Sequence, residues 1–116
     1  MKTDPAQMAL LFDFYGELLT EKQRVLFDLY YNQDFSLGEI AENEGISRQG
    51  VHDAIARAEQ ALHNYEEKTG CVARYYRTQE AVQVIADAVK TISASSDPVT
   101  IAAAKTILQA AADMKE

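Results

Sequence analysis

Arg48, Gln49, His52 and Arg57 follow Ser47 at spacings that place polar side chains along one side of a helix. Arginine can form paired hydrogen bonds with guanine, and glutamine can form them with adenine. A helix that begins after a serine cap also presents unpaired backbone N–H groups, which can hold a phosphate. These five residues are therefore a candidate nucleic-acid-binding site, called the candidate site below.

The segment around the candidate site has the spacing of a helix-turn-helix, in which two helices are joined by a short turn containing glycine. It reads SLGEIAENEGISRQGVHDAIARA over residues 36–58. Ala41 is small enough for the second helix to cross close to its backbone, Gly45 supplies the turn, and Ile46 fills the space between the helices. Val51 then anchors the second helix from below, which leaves the candidate site facing solvent. A plain helical hairpin with well-capped ends is the alternative interpretation.

The rest of the chain also predicts helices, because good helix formers are plentiful and only two prolines and five glycines interrupt them. Asp4 and Pro5 begin a first helix that should end near Leu19, and the capping boxes TEKQ and SLGE begin the second and third helices. Gly45 should end the third helix and Gly70 the fourth. The side chains expected to face the core of this part are Met8, Leu11, Phe12, Tyr15, Leu18, Leu19, Val25, Leu26, Leu29, Tyr30, Leu37, Ile40, Ala41, Val51, Ala54, Ile55, Ala58 and Leu62.

Two more helices are predicted after Gly70, one from about Val72 to Ser93 and one from Pro98 through Met114. We therefore divide the chain into a helix-turn-helix domain over residues 1–70 and a C-terminal helical extension over residues 71–116. We expect the extension to mediate self-association and give a homodimer, and packing of its helices within the chain is the alternative. The apolar face of its first helix is marked by Val82, Ile85, Ala86, Val89 and Ile92.

Residues 19–70 closely resemble the YlxM-like proteins of bacteria, and the match is carried by the segments LTEKQR, DFSLGEIAE, GISRQGVHDAI and EEKTG. The resemblance covers approximately residues 1–85, with Gly50 standing where the family pattern has alanine. It implies an all-α fold, a helix-turn-helix bundle similar to region 4 of sigma factors with additional C-terminal helices. Members of the family are encoded beside genes of the signal recognition particle. The resemblance therefore implies a non-enzymatic accessory or regulatory role in that pathway, through binding of nucleic acid, of a targeting component, or of both.

The charge of the chain argues against strong binding to DNA by a single copy. The net charge is −7, and residues 20–70 carry five basic side chains against ten acidic ones. Nucleic-acid binders usually present a basic surface, because neutralising phosphates supplies much of their affinity. Arg48 and Arg57 are explained equally well as solvated surface residues. The alternative function is that of a sequence-specific, dimeric DNA-binding transcriptional regulator. RNA binding and binding of a protein component also remain open for the candidate site.

Several other kinds of site are not expected from this sequence. His52 and His63 have no partners at metal-ligand spacing, and no glycine-rich phosphate loop is present, so we expect no metal, no cofactor and no catalytic activity. Cys71 is the single cysteine and cannot form a disulfide within the chain, which favours a reducing compartment. With no apolar run long enough to span a bilayer and no recognisable signal peptide, we expect a cytoplasmic protein without membrane insertion.

Overall fold

The computed structural model describes residues 2–114, and in that range the chain is all-helical. A single turn of 3₁₀ helix, Gly16–Leu18, follows the first α-helix. The α-helices in chain order are α1 (Pro5–Tyr15), α2 (Glu21–Tyr31), α3 (Leu37–Glu44), α4 (Arg48–Thr69), α5 (Cys71–Ile92) and α6 (Pro98–Met114). The all-α prediction is confirmed.

The helix starts are determined by local hydrogen bonds that the sequence encodes. In the TEKQ box the Thr20 hydroxyl accepts from the Gln23 amide at 3.2 Å, and the Gln23 side chain accepts from the Thr20 amide at 3.1 Å. Ser36 and Glu39 form the same reciprocal pair at 3.0 Å in both directions. Each box satisfies backbone donors that the first turn of a helix leaves without partners.

The first helix ends earlier than predicted, at Tyr15 rather than near Leu19. The chain then tightens, and the Leu19 amide donates to the Gly16 carbonyl, three residues back, at 3.1 Å. Leu19 itself is extended, with a ψ of 157°, because the chain must leave the helix before Thr20 can cap the next one. As a result Leu19 is buried, as predicted. Leu18 was predicted to face the core as well, but it is 60% exposed, so that prediction is wrong.

Among the described residues, those from 2 to 72 form one compact unit and those from 73 to 114 form a second. The core of the first unit contains a stack of aromatic rings in which Phe27 lies between Phe12 and Tyr31, at centroid distances of 4.8 and 4.4 Å. Phe27 is fully buried and was absent from the predicted core, while Val25, which was included, is 41% exposed. The aromatic stack therefore determines which side of α2 faces inward.

A hydrogen-bond network joins the end of α4 to α1 and to the start of α5. The Tyr15 hydroxyl donates to the Glu66 carboxylate and lies within hydrogen-bond distance of the Thr69 hydroxyl. The same Glu66 oxygen accepts from the backbone amide of Val72 at 2.9 Å. Burial, together with the hydrogen bond to Glu66, raises the pKa of Tyr15 above its ordinary value, so the phenol stays neutral and able to donate. The chain turns between α4 and α5 at Gly70, whose φ is 63°.

In the second unit, α5 and α6 bury one apolar side each. Val82 and Val89 of α5 are almost fully buried, as are Ala104 and Ala111 of α6. The prediction for α5 included two further residues, Ile85 and Ile92, which are 43% and 47% exposed. The apolar face predicted for α5 is therefore covered only in part.

Candidate nucleic-acid interface

The turn between α3 and α4 has the left-handed glycine that the helix-turn-helix prediction requires. Gly45 ends α3 with a φ of 68° and a ψ of 31°. Its amide and that of Ile46 both donate to the Ala41 carbonyl, so the last turn of α3 is closed by two bonds. The hydroxyl of Ser47 then accepts from the Gly50 amide at 2.9 Å and caps α4. The left-handed residue, the two backbone bonds and the serine cap together set the direction in which α4 leaves the turn.

The inner side of α4 is held by complete burial of small and branched side chains. Val51 and Ala58 are fully buried and Ile55 is 3% exposed, and all three belong to one core with Ile40 of α3. These positions recur every three or four residues, so they occupy a single stripe of the helix. The predicted inward residues of α4 are confirmed, and the opposite side of the helix is left in solvent.

All five residues of the candidate site are exposed, but the structure brings only part of the set together. Arg48, Gln49 and His52 line a shallow depression of about 420 Å³, with Leu37 of α3 as its apolar wall. Arg57 is not among the lining residues and lies more than two helical turns beyond Arg48. The pattern of α3 predicts that Leu37 faces the core. It is half-buried, and its uncovered part shapes the depression.

Asp53 binds two of the candidate side chains. The Gln49 amide nitrogen donates to the Asp53 carboxylate at 2.9 Å, and His52 Nδ1 lies 3.4 Å from the same oxygen. The hydrogen bonds from Gln49 and, second, from His52 hold the pKa of the Asp53 carboxyl below its usual value, so this group stays ionised. The spacing of four residues between Gln49 and Asp53 was a signal for this pair in the sequence, because such residues are neighbours on a helix surface.

The basic side chain of Lys22 does not extend the candidate site. Lys22 of α2 lines a different depression, of about 470 Å³, which is also lined by the acidic residues Glu21 and Glu44. Basic residues clustered on one surface, with the acidic residues elsewhere, would offset the net charge at the candidate site. At the start of α4, Asp53 lies among the candidate side chains instead.

The helix-turn-helix geometry agrees with comparison to known proteins. Residues 2–99 match the UPF0122 family, described as "Putative helix-turn-helix protein, YlxM / p13 like". The chain belongs to this family. The match reaches beyond the span of about 85 residues that the resemblance implied, and it includes all of α5.

Individual UPF0122 proteins resemble the chain over most of their length. The chain is 50% identical over 89 residues to a UPF0122 protein of Caldanaerobacter subterraneus subsp. tengcongensis, which covers 77% of this chain and 76% of that protein. It is 48% identical over 92 residues to one from Thermoanaerobacter sp. strain X514, covering 79% of each. It is 52% identical over 83 residues to one from Halalkalibacterium halodurans, covering 72% of this chain and 76% of that protein.

Within residues 2–114, no three or more histidine, cysteine, aspartate or glutamate side chains lie together in an arrangement that could hold a metal ion. None of the helices in this range combines the length and the hydrophobicity of a transmembrane segment. The absence of catalytic activity and the cytoplasmic location stay predictions.

Proposed function

We propose that this UPF0122 protein is a non-enzymatic regulatory component of the signal recognition particle pathway that contacts nucleic acid through the start of α4. The observation that carries the proposal is the joint exposure of Arg48, Gln49 and His52 around one depression, on a helix capped by Ser47 and anchored by the buried Val51. Helix-turn-helix proteins present the first residues of their second helix to nucleic acid in this way. The pathway is supported by the resemblance to the YlxM-like family.

The electrostatics of the same surface favour weak contact that depends on a second attachment. Asp53 already engages the Gln49 amide nitrogen and lies against Nδ1 of His52, so a base competes with this carboxylate for both atoms. The Asp53 carboxylate also repels phosphates, and five basic residues against ten acidic ones in residues 20–70 do not compensate for this. A protein or RNA component of the targeting machinery, held at the same time, supplies the remaining affinity.

The proposal is tested by recovering tagged protein from extract of its own cells, with and without nuclease. We expect components of the signal recognition particle to co-purify, and nuclease to reduce their recovery. An Arg48→Ala variant should lose most of this nuclease-sensitive recovery. Lys68→Ala removes the same charge about 30 Å away, at the other end of α4, and should retain it. Equal recovery of these components with both variants would contradict the role of the candidate site, and their complete absence with the wild type would contradict the pathway.

A sequence-specific, dimeric DNA-binding regulator is the second candidate function, favoured by the left-handed Gly45 turn and the serine-capped helix that follows it. This function predicts a saturable complex with one duplex sequence. Its affinity should fall steeply as salt rises. If Arg48 contacts a phosphate of the DNA backbone, Arg48→Ala should reduce the slope of log affinity against log salt concentration by about one. Binding that does not distinguish between duplex sequences would reject this candidate and leave the targeting role in place.

A further inference from the structure

Helix α5 carries two apolar stripes, and only one of them is covered. The covered stripe contains Val82 and Val89 with the half-buried Ala86 between them. A second set of residues is exposed and recurs at steps of four, three and four, the spacing typical of helices that pack in bundles. This second stripe consists of Ala81, Ile85, Ala88 and Ile92.

Helix α6 repeats the arrangement. Its covered stripe contains Ala104 and Ala111, with Leu108 half-buried between them. Its exposed stripe has the same spacing of four, three and four residues, and two of its members, Ile107 and Met114, are 42% and 56% exposed. The exposed stripe of α6 consists of Ala103, Ile107, Ala110 and Met114.

The two exposed stripes lie on the same side of the α5–α6 pair. A small cavity of about 200 Å³ is lined by Val82 and Ala86 of α5 and by Leu108 and Ala111 of α6, so the covered stripes face each other. Val82 and Ala86 lie in the middle of α5, Leu108 and Ala111 lie late in α6, and the link between the helices is only five residues long, so the helices are antiparallel. In both helices the exposed stripe comes one residue before the covered stripe, which is a rotation of about 100° around the helix axis. Viewed along the chain direction of each helix, this rotation has the same sense in α5 and in α6. In two antiparallel helices this rotation brings both stripes to one side, called the outer apolar face.

We propose that the outer apolar face binds the same face of a second copy of this chain, forming a four-helix bundle. Two copies of α5 and two copies of α6, all with stripes at this spacing, can interdigitate around a two-fold axis, because the surface then meets its own copy. Neither stripe contains a charged residue, and the charged side chains of α5 and α6 between Glu80 and Asp113 lie on other sides of the helices. Residues 71–116 carry five basic and five acidic side chains, so two copies approach here without the net repulsion of residues 20–70.

The size of the face suits a specific dimer. Helix α6 contains 17 residues, which gives a length of about 25 Å. Two helices side by side, each about 10 Å wide, provide a flat footprint of about 500 Å². The contours of the side chains enlarge this area toward the roughly 800 Å² per partner that specific interfaces bury. Such a dimer would carry two copies of the candidate site, whatever target these sites contact.

The test compares two neighbouring alanines of α6 that are both exposed. Ala103 lies in the exposed stripe, whereas Ala102 lies on the side of the helix facing away from both stripes. Ala103→Glu buries a carboxylate in the proposed interface and should weaken dimerisation by at least about a hundredfold, because an unpaired buried charge is strongly unfavourable. Ala102→Glu introduces the same residue into the same helix and should leave the dimer intact. Ala88→Glu is the equivalent change on α5 and should act like Ala103→Glu.

Sedimentation equilibrium of the full-length proteins at micromolar concentration measures these effects, with circular dichroism to confirm that the variants are helical. We expect wild type and Ala102→Glu to have twice the mass of the chain and the two stripe variants to have the mass of one chain. A monomeric wild type overturns the proposal, as does equal weakening by Ala102→Glu and Ala103→Glu. A dimer that withstands both stripe variants overturns it as well. No nucleic acid is present, so the outcome is independent of the proposed function.

Discussion

Replacing Gly45 by alanine tests the backbone geometry on which the helix-turn-helix depends. A side chain other than glycine in the left-handed region costs about 1–2 kcal/mol. No heavy atom lies within 4 Å of the position that a Cβ would take at Gly45, so the conformational cost is the whole native-state penalty. Alanine also reduces the entropy of the unfolded chain, which stabilises the folded protein by about 0.4–1 kcal/mol. Taken at the middle of both ranges, the expected net destabilisation of Gly45→Ala is about 0.8 kcal/mol.

The matched control is Gly38, in the first turn of the same helix α3. Its nearest neighbour for a Cβ is the Ser36 hydroxyl at 3.9 Å, an ordinary contact, and its φ lies outside the left-handed region. Gly38→Ala should therefore stabilise the protein, by about 0.5 kcal/mol. The two glycine-to-alanine changes, seven residues apart, are expected to have opposite signs.

Urea unfolding followed by circular dichroism at 222 nm, a standard helix wavelength, measures both changes. In thermal unfolding, Gly45→Ala should lower the midpoint by about 3–6 °C, since 1 kcal/mol corresponds to about 4–8 °C in a domain of this size. Asparagine adopts the left-handed conformation more readily than alanine, so Gly45→Asn should recover part of the loss. A Gly45→Ala protein as stable as the wild type would refute the assigned turn geometry, as would a shift of the same sign in both alanine variants.

Three further changes test the cap, the candidate site and the buried phenol. Ser47→Ala removes the acceptor of the Gly50 amide and should cost about 1 kcal/mol in urea unfolding, with Ser47→Asp restoring most of it. Asp53→Asn should raise the affinity for a nucleic-acid duplex at low salt by about two- to fivefold, a gain that shrinks as salt screens the charge. Glu67→Gln, toward the far end of α4, should leave that affinity unchanged, and the same gain in both variants would exclude a local effect. Burial raises the pKa of Tyr31 from 10.0 to about 12, so stability is fully present below pH 10 and is lost as the pH rises toward 12. In Tyr31→Phe the free energy of unfolding should fall less steeply over this pH range. At neutral pH the variant should be less stable by about 1 kcal/mol, because the Thr3 amide loses its acceptor. An unchanged alkaline slope would contradict the buried phenol.

The candidate site illustrates how far local pattern carries a prediction. The exposure of Arg48 and His52 followed from the periodicity of the buried residues of α4, since a stripe on one side of a helix defines the other side. The depression formed with Leu37 did not follow, because it depends on how α3 and α4 cross. Leu37 satisfies the core pattern of its own helix, and the position of the neighbouring helix leaves part of it uncovered.

The sequence by itself determined the helix starts, the left-handed stop at Gly45 and the all-α class. These features depend on hydrogen bonds and backbone preferences within a few residues, so they can be derived before any packing is known. Tertiary structure decided which side of each helix faces inward where apolar residues occupy more than one side. On α2 the stacking of Phe27 between Phe12 and Tyr31 placed Val25 in solvent, and on α5 packing covered Val82 and left Ile85 exposed. The physical reason is that helical periodicity shows which residues share a side, whereas burial of that side depends on a neighbour supplied by another part of the chain.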